Sequence, residues 1–174
     1  MIGSLLSNLF GNRYTLGELM QIDGNRQARA GNCSVSLVDT FFSLKEEGIA
    51  AKVKKFFTNM DTVKIYYITL KLAVKSDTGN PHYVFIQLEP DFSLNNWSEN
   101  KIRVYCDCAD FKFRSAYILD KRDSLFKNER IKISLGQALS DAPKGNKGVT
   151  LLCKHAFAAI NWVMNNYTNI MNSL

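Results

Sequence analysis

The hydrophobic and polar positions divide the chain into segments of different period. Residues 62–74, TVKIYYITLKLAV, are rich in β-branched and aromatic side chains, and residues 82–90, HYVFIQLEP, alternate in the same way. The intervening SDTGNP has the composition of a tight turn, so the two runs predict a hairpin. A polar loop, DFSLNNWSEN, leads to KIRVYCDC at 101–108, a third strand. Together these predict a small antiparallel meander over about 62–108. Upstream, Val38, Phe41, Phe42, Ile49, Val53, Phe56, Phe57 and Met60 fall at three- and four-residue spacings. That spacing predicts an amphipathic helix over about 34–59, bent at Gly48, with Ser34 or Ser36 as N-cap. Downstream, Phe111, Ser115 or Ala116, and Ile118 or Leu119 predict a helix over 110–119 capped by Asp110. Phe157, Ile160, Val163 and Met164 predict a closing helix over about 153–170. The fold class expected is α+β.

Residues 1–33 hold three glycine-bearing turns (FGN, IDGN, AGN) around the short helical pattern TLGELMQI. They lack the apolar periodicity for a core of their own. They are read as an N-terminal arm or cap that docks on the rest of the chain or on a neighbour, and residues 34–174 as a single α+β domain. The length of 174 residues is sufficient for one substantial core. No apolar run approaches the roughly 20 residues of a membrane span. The opening MIGSLLSNLFGN lacks the basic region and cleavage site of a signal peptide. Four cysteines in that setting fit free thiols or metal ligands in a reducing compartment better than a disulfide framework.

The net charge of +6 is uneven: residues 1–100 carry 10 basic and 10 acidic side chains, so the whole excess lies in residues 101–174. Lys112, Arg114, Lys121 and Arg122, followed by Lys127, Arg130 and Lys132, are interleaved with Phe111, Phe113 and Tyr117. Such a run can track a phosphate backbone, although Asp110, Asp120, Asp123 and Glu129 dilute it. His82, beside Pro81 at the hairpin turn, reads as a surface histidine. Trp97 and the run Ile65, Tyr66 and Tyr67 read as core or interface. No phosphate-cradling glycine loop, dinucleotide fingerprint or spaced carboxylate pair is present, so nothing in the chain argues for an enzyme.

The chemistry that stands out is a cysteine and histidine constellation. In an extended strand Cys106 and Cys108 face one side while Asp107 faces the other. Cys153 and His155 stand where the closing helix should begin, and in an irregular first turn such an i, i+2 pair can converge. Three thiolates and an imidazole are a complete tetrahedral set for zinc, with no position left for water, which makes a structural site rather than a catalytic one. Bound zinc, a metal-free cluster of reduced cysteines beside a core histidine, and a disulfide all remain open at this level. A cysteine nucleophile with a histidine base would use the same residue types, but Cys153 and His155 are too close in sequence for the usual arrangement and no orienting Asp or Asn is marked out. Cys33, alone in GNCS, reads as a simple buried or loop thiol.

Cys-x-Cys followed by Cys-x-His at a helix start resembles the SWIM-type zinc finger, over residues 104–164. It departs from that finger in its spacer, 44 residues from 109 to 152. The segment also resembles small virion structural proteins of large tailed bacteriophages, including crAss-like phages. These carry C-x-C-x-D-F-K-[FY]-R, a helix and loop, then C-K-H before an apolar helix. The matching residues are Cys106, Cys108, Asp110, Phe111, Lys112, Phe113, Arg114, Cys153, Lys154 and His155, with Ala109 where those proteins often have proline. This second resemblance implies a non-enzymatic component of the neck, ring or tail assembly, found in the virion and assembled in the host cytoplasm. Its implied partners are portal, ring or tail proteins in a homo-oligomeric ring, with electrostatic contact to packaged DNA and none to membrane. The first implies a zinc-binding module that contacts nucleic acid through residues such as Lys112, Arg114, Lys121 and Arg122.

Overall fold

The computed structural model describes residues 13–22, 30–44, 66–77, 79–89, 97–128 and 151–172. The protein is α+β. Strands β1 (Ser34–Leu44), β2 (Tyr66–Lys75), β3 (His82–Glu89) and β4 (Lys101–Cys106) form one antiparallel sheet in the order β1-β2-β3-β4. The described helices are α1 (Leu16–Ile22), α2 (Ala116–Lys121) and α3 (Lys154–Asn172), with a π-helical turn at Phe111–Ser115 leading into α2.

The meander forms where alternation predicts it. In register across the sheet, Leu72 faces Val84 and Val84 faces Cys106, while Leu70 faces Ile86 and Ile86 faces Val104. One face therefore presents unbroken rows of Ile68, Leu70, Leu72 and Val74, Val84, Ile86 and Leu88, and Ile102, Val104 and Cys106, all buried. The helix α3 lies across this face in contact with all four strands. Its Ala156, Ala159, Ile160 and Val163 are fully buried, which is the helical counterpart of the strand alternation. None of the helices among the described residues is long and apolar enough to cross a membrane.

The helix expected over 34–59 is not what its first part forms: residues 34–44 are the edge strand β1, and Ser34 and Ser36 lie in that strand rather than capping a helix. The misreading has a physical origin. Leu37 pairs with Leu72 and Asp39 with Lys71, so Val38 is an extra residue, a β-bulge that slips the two-residue period by one. Val35, Leu37, Thr40 and Phe42 share a face across that slip, and a period-two pattern with one slip imitates three- and four-residue spacing. Gly48 and the apolar positions from Ile49 to Met60 lie outside the described residues, as do residues 129–150.

The described part of the N-terminal arm docks on the chain's own fold. Thr15 Oγ1 accepts from the Glu18 amide at 3.2 Å, and Glu18 Oε2 accepts from the Thr15 amide at 2.8 Å, a reciprocal cap that starts α1. Thr15 also bridges Lys101 at the start of β4, and Leu16 and Leu19 are fully buried. Arg13 ties this segment down: it donates to Glu89 at 2.7 Å and bonds Asp123, which also accepts from Arg103 at 2.7 Å.

Asp123 sits at a backbone φ of 51°, a left-handed turn that Asp and Asn tolerate. Burial opposes its ionisation, but the hydrogen bonds and charges of Arg103 and Arg13 prevail, so its carboxyl titrates below the usual range. A depressed carboxylate stabilises the fold above its unfolded pKa and loses that contribution as pH falls through the folded one. Asp123→Asn, which keeps the turn, should therefore lower stability by about 1 kcal/mol at neutral pH, the side chain being half exposed and its ion pairs screened. Urea titrations at pH 7 and pH 3 should show the gap from wild type closing at the lower pH.

Candidate metal centre

Cys106 ends β4 and points, with Val84 and Ile86, into the α3 side of the sheet. The ladder continues one residue further, the Asp107 amide donating to the Tyr83 carbonyl at 3.2 Å. Cys108 thus keeps the phase of Cys106, as the alternation requires. The chain then turns into a helix whose first four-residue hydrogen bond runs from the Lys112 amide to the Cys108 carbonyl. Cys108 Sγ accepts from the Phe111 amide at 3.4 Å. Cys108 is therefore the N-cap, and the expectation that Asp110 would fill that place is corrected. Asp110 has helical dihedrals and makes no side-chain cap; it pairs instead with Arg114 at 3.0 Å, one turn on.

The second half repeats the device. The Phe157 amide donates to the Cys153 carbonyl at 3.0 Å, and the Ala156 amide to Cys153 Sγ at 3.3 Å. Cys153 caps α3, which places His155 in the first turn. Two helices thus begin at two sulfurs, with their free amides and the positive ends of their dipoles turned toward the same point, an arrangement that favours thiolate.

The four side chains converge. The ligand atoms of Cys106, Cys108, Cys153 and His155 all lie within 4.8 Å of one another, and all four residues are buried. All four cysteines of the chain are free thiols, so no disulfide closes this cluster. Neither ring nitrogen of His155 has a hydrogen-bond partner, although the residue is only 6% exposed. An unpaired polar ring in a dry site is costly, and a metal bond satisfies it. A tetrahedral zinc ion at ~2.3 Å from each sulfur sets the sulfurs roughly 3.8 Å apart, inside the observed envelope. The residues present fit a metal ion.

Proton distribution in the cluster follows from its contacts. Cys106 holds its proton far above the ordinary thiol range, chiefly through its hydrogen bonds with Cys108 and Cys153, with burial adding to them. Cys108 is driven well below that range chiefly by the hydrogen bonds from Cys106 and Cys153, against the opposing effect of burial, with further help from the Phe111 amide. Burial raises Cys153.

A residue outside the predicted set belongs to this place. His82 is no lone surface histidine: its Nδ1 lies 2.8 Å from Asp107 Oδ1, and its ring lies against that of His155, centroid to centroid 4.3 Å and inclined 42°. The signal was available in the alternation, since His82 is in phase with Val84, Ile86 and Leu88 and so faces α3. Cys33 stands apart, half buried beneath α3 and near Lys154.

The basic residues of 112–122 are distributed differently from a bare stripe. Lys112, Arg114, Lys121 and Arg122 are all exposed, but Arg114 pairs with Asp110, Lys121 lies 4.4 Å over the Tyr117 ring and Arg122 5.1 Å over Tyr14. Trp97 opens a short 3-10 turn, and Ile65 lies outside the described residues.

Fold and site together define an α+β protein with four antiparallel strands among the described residues and a closed, buried cluster of three cysteines and a histidine. Comparison of the chain with protein-family models, with curated proteins and with solved structures finds no match. The functional reading accordingly rests on these residues and their geometry.

Proposed function

We propose that Cys106, Cys108, Cys153 and His155 hold one structural zinc ion, and that the protein so clasped is a non-enzymatic assembly component of a tailed-phage virion. The observation that carries the zinc reading is the closed tetrad itself: four ligand atoms of the right kinds, buried, mutually within 4.8 Å. Zinc suits this set because thiolate and imidazole ligands in a tetrahedron are its ordinary structural environment. With all four positions taken by protein, no coordination site remains for a substrate. The ion's contribution is mechanical, joining the end of β4 to the start of α3.

The assembly reading is supported by the likeness of C-x-C-x-D-F-K-F-R and C-K-H to tailed-phage virion proteins. It is also supported by the edge strand: Leu37, Val38, Phe41 and Phe42 on β1 are between 43% and 57% exposed. Exposed apolar residues concentrated on a strand that has one partner among the described residues suit contact with another protein. A SWIM-like role in binding nucleic acid is less well supported, because three of the four basic side chains that would carry it are engaged within the chain.

Elemental analysis of protein purified without chelator should give one equivalent of zinc per chain; none would remove the metal reading. Sedimentation should find the protein in a ring or with a portal or tail protein of the same particle. Salt-sensitive DNA binding by a stable monomer would turn the functional reading toward the alternative.

A further inference from the structure

We infer that His82, held by Asp107, is a fifth metal ligand that exchanges with His155 and is the route by which the ion enters and leaves the buried thiolate cluster. This inference rests on the zinc reading above. The chain has two histidines, and both lie here in ring contact. A histidine that binds a metal almost always donates its other ring N–H to a carboxylate or carbonyl, which fixes the tautomer and makes the ligating nitrogen more basic. His155 has no such partner on either nitrogen. His82 has it: a carboxylate can only accept, so the Nδ1 facing Asp107 carries the proton and Nε2 is left with a free lone pair. An outer-shell carboxylate of the kind that zinc-binding histidines commonly have is present on the neighbouring imidazole.

Exposure gives that pair its direction. The three sulfurs and the His155 ring are sealed from solvent, whereas the side chains of His82 and Asp107 are 37% and 36% exposed. Among the described residues, His82 is the metal-binding side chain that touches both solvent and a member of the tetrad. The sheet sets this geometry: the Asp107 amide donates to the Tyr83 carbonyl one residue beyond the Val84–Cys106 pair, and the Asp107 side chain meets His82. The exchange is a ligand substitution. With the metal bound, His82 Nε2 would take the ligand position that His155 gives up. The three sulfurs stay bound, and the His82 proton stays on Nδ1 beside Asp107.

The test follows zinc transfer, in both directions, between the protein and a coloured chelator, pyridylazoresorcinol, with the equilibrium zinc content measured in parallel. His82→Phe keeps a ring against His155 but removes the nitrogen. It should retain one equivalent of zinc and exchange it measurably more slowly than wild type. His82→Gln, which keeps a polar group toward Asp107, should do the same and serves if the phenylalanine variant folds poorly. Exchange as fast as wild type in either folded variant overturns the inference, and so does faster exchange in His82→Ala, which would make His82 a mere cover. Wild-type protein that binds no zinc overturns the zinc reading itself, whereas equal exchange rates at full zinc content overturn only the role of His82.

Discussion

Cys108→Ser should abolish stoichiometric zinc binding and lower the melting temperature by on the order of 10 °C. Serine is among the best N-cap residues, so the variant keeps the hydrogen bond to the Phe111 amide and isolates the loss of the metal clasp. An ion held only by the native state at about a thousand times its Kd stabilises that state by roughly 4 kcal/mol. For a chain of this size each kcal/mol is worth roughly 2–4 °C. Independently, a covalent cross-link closing a loop the length of 109–152 would contribute about 4 kcal/mol on the chain-entropy model, so the two routes to the magnitude agree. Thermal unfolding with and without chelator provides the check. Chelation should lower the wild-type transition to that of the variant and leave the variant unmoved. A variant that melts with wild type at unchanged zinc content would remove Cys108 from the ligand set.

Phe111→Ala should cost about 3–5 kcal/mol, the usual range for emptying a buried aromatic site. Phe111 is fully buried and meets the Tyr105 ring edge-on at 5.8 Å, while its amide caps the Cys108 sulfur. Its neighbour two residues on is the internal control: Phe113 is 44% exposed, and Phe113→Ala should change stability by no more than about 0.5 kcal/mol. Urea denaturation of the two variants separates them. Equal losses would mean that the π-helical turn does not divide the two phenylalanines into an inner and an outer one.

The meander and α3 were legible because burial on one face imposes a period that survives in the residues themselves: Val84, Ile86 and Leu88 every second position, Ala156, Ile160 and Val163 at helical steps. The tetrad was legible because the four residues lie in two short pairs, and local geometry alone aims the members of each pair together. β1 was not legible, since the bulge at Val38 breaks the period that identifies a strand, and pairing with β2, a tertiary event, decides its conformation. Asp110 has the residue type of an N-cap, yet Cys108 takes the position because the strand already delivers its sulfur there. His82 was missed for a different reason. Its place beside Pro81 and a turn reads as solvent-facing, whereas its phase with Val84 and Ile86 sets it on the α3 face.

The sequential order of the sheet has a kinetic consequence. β2 and β3 are joined by six residues, 76–81, and each strand pairs with its neighbour in the chain, so the sheet can form from contacts that are cheap in loop closure. The cluster is different: Cys108 and Cys153 meet only after the whole excursion between them has closed. Contacts that form after the folding barrier leave the folding rate nearly untouched and act on the reverse step. The clasp at the end of β4 should therefore set the lifetime of the native state, with chelated and loaded protein refolding at similar speed while the loaded form unfolds far more slowly.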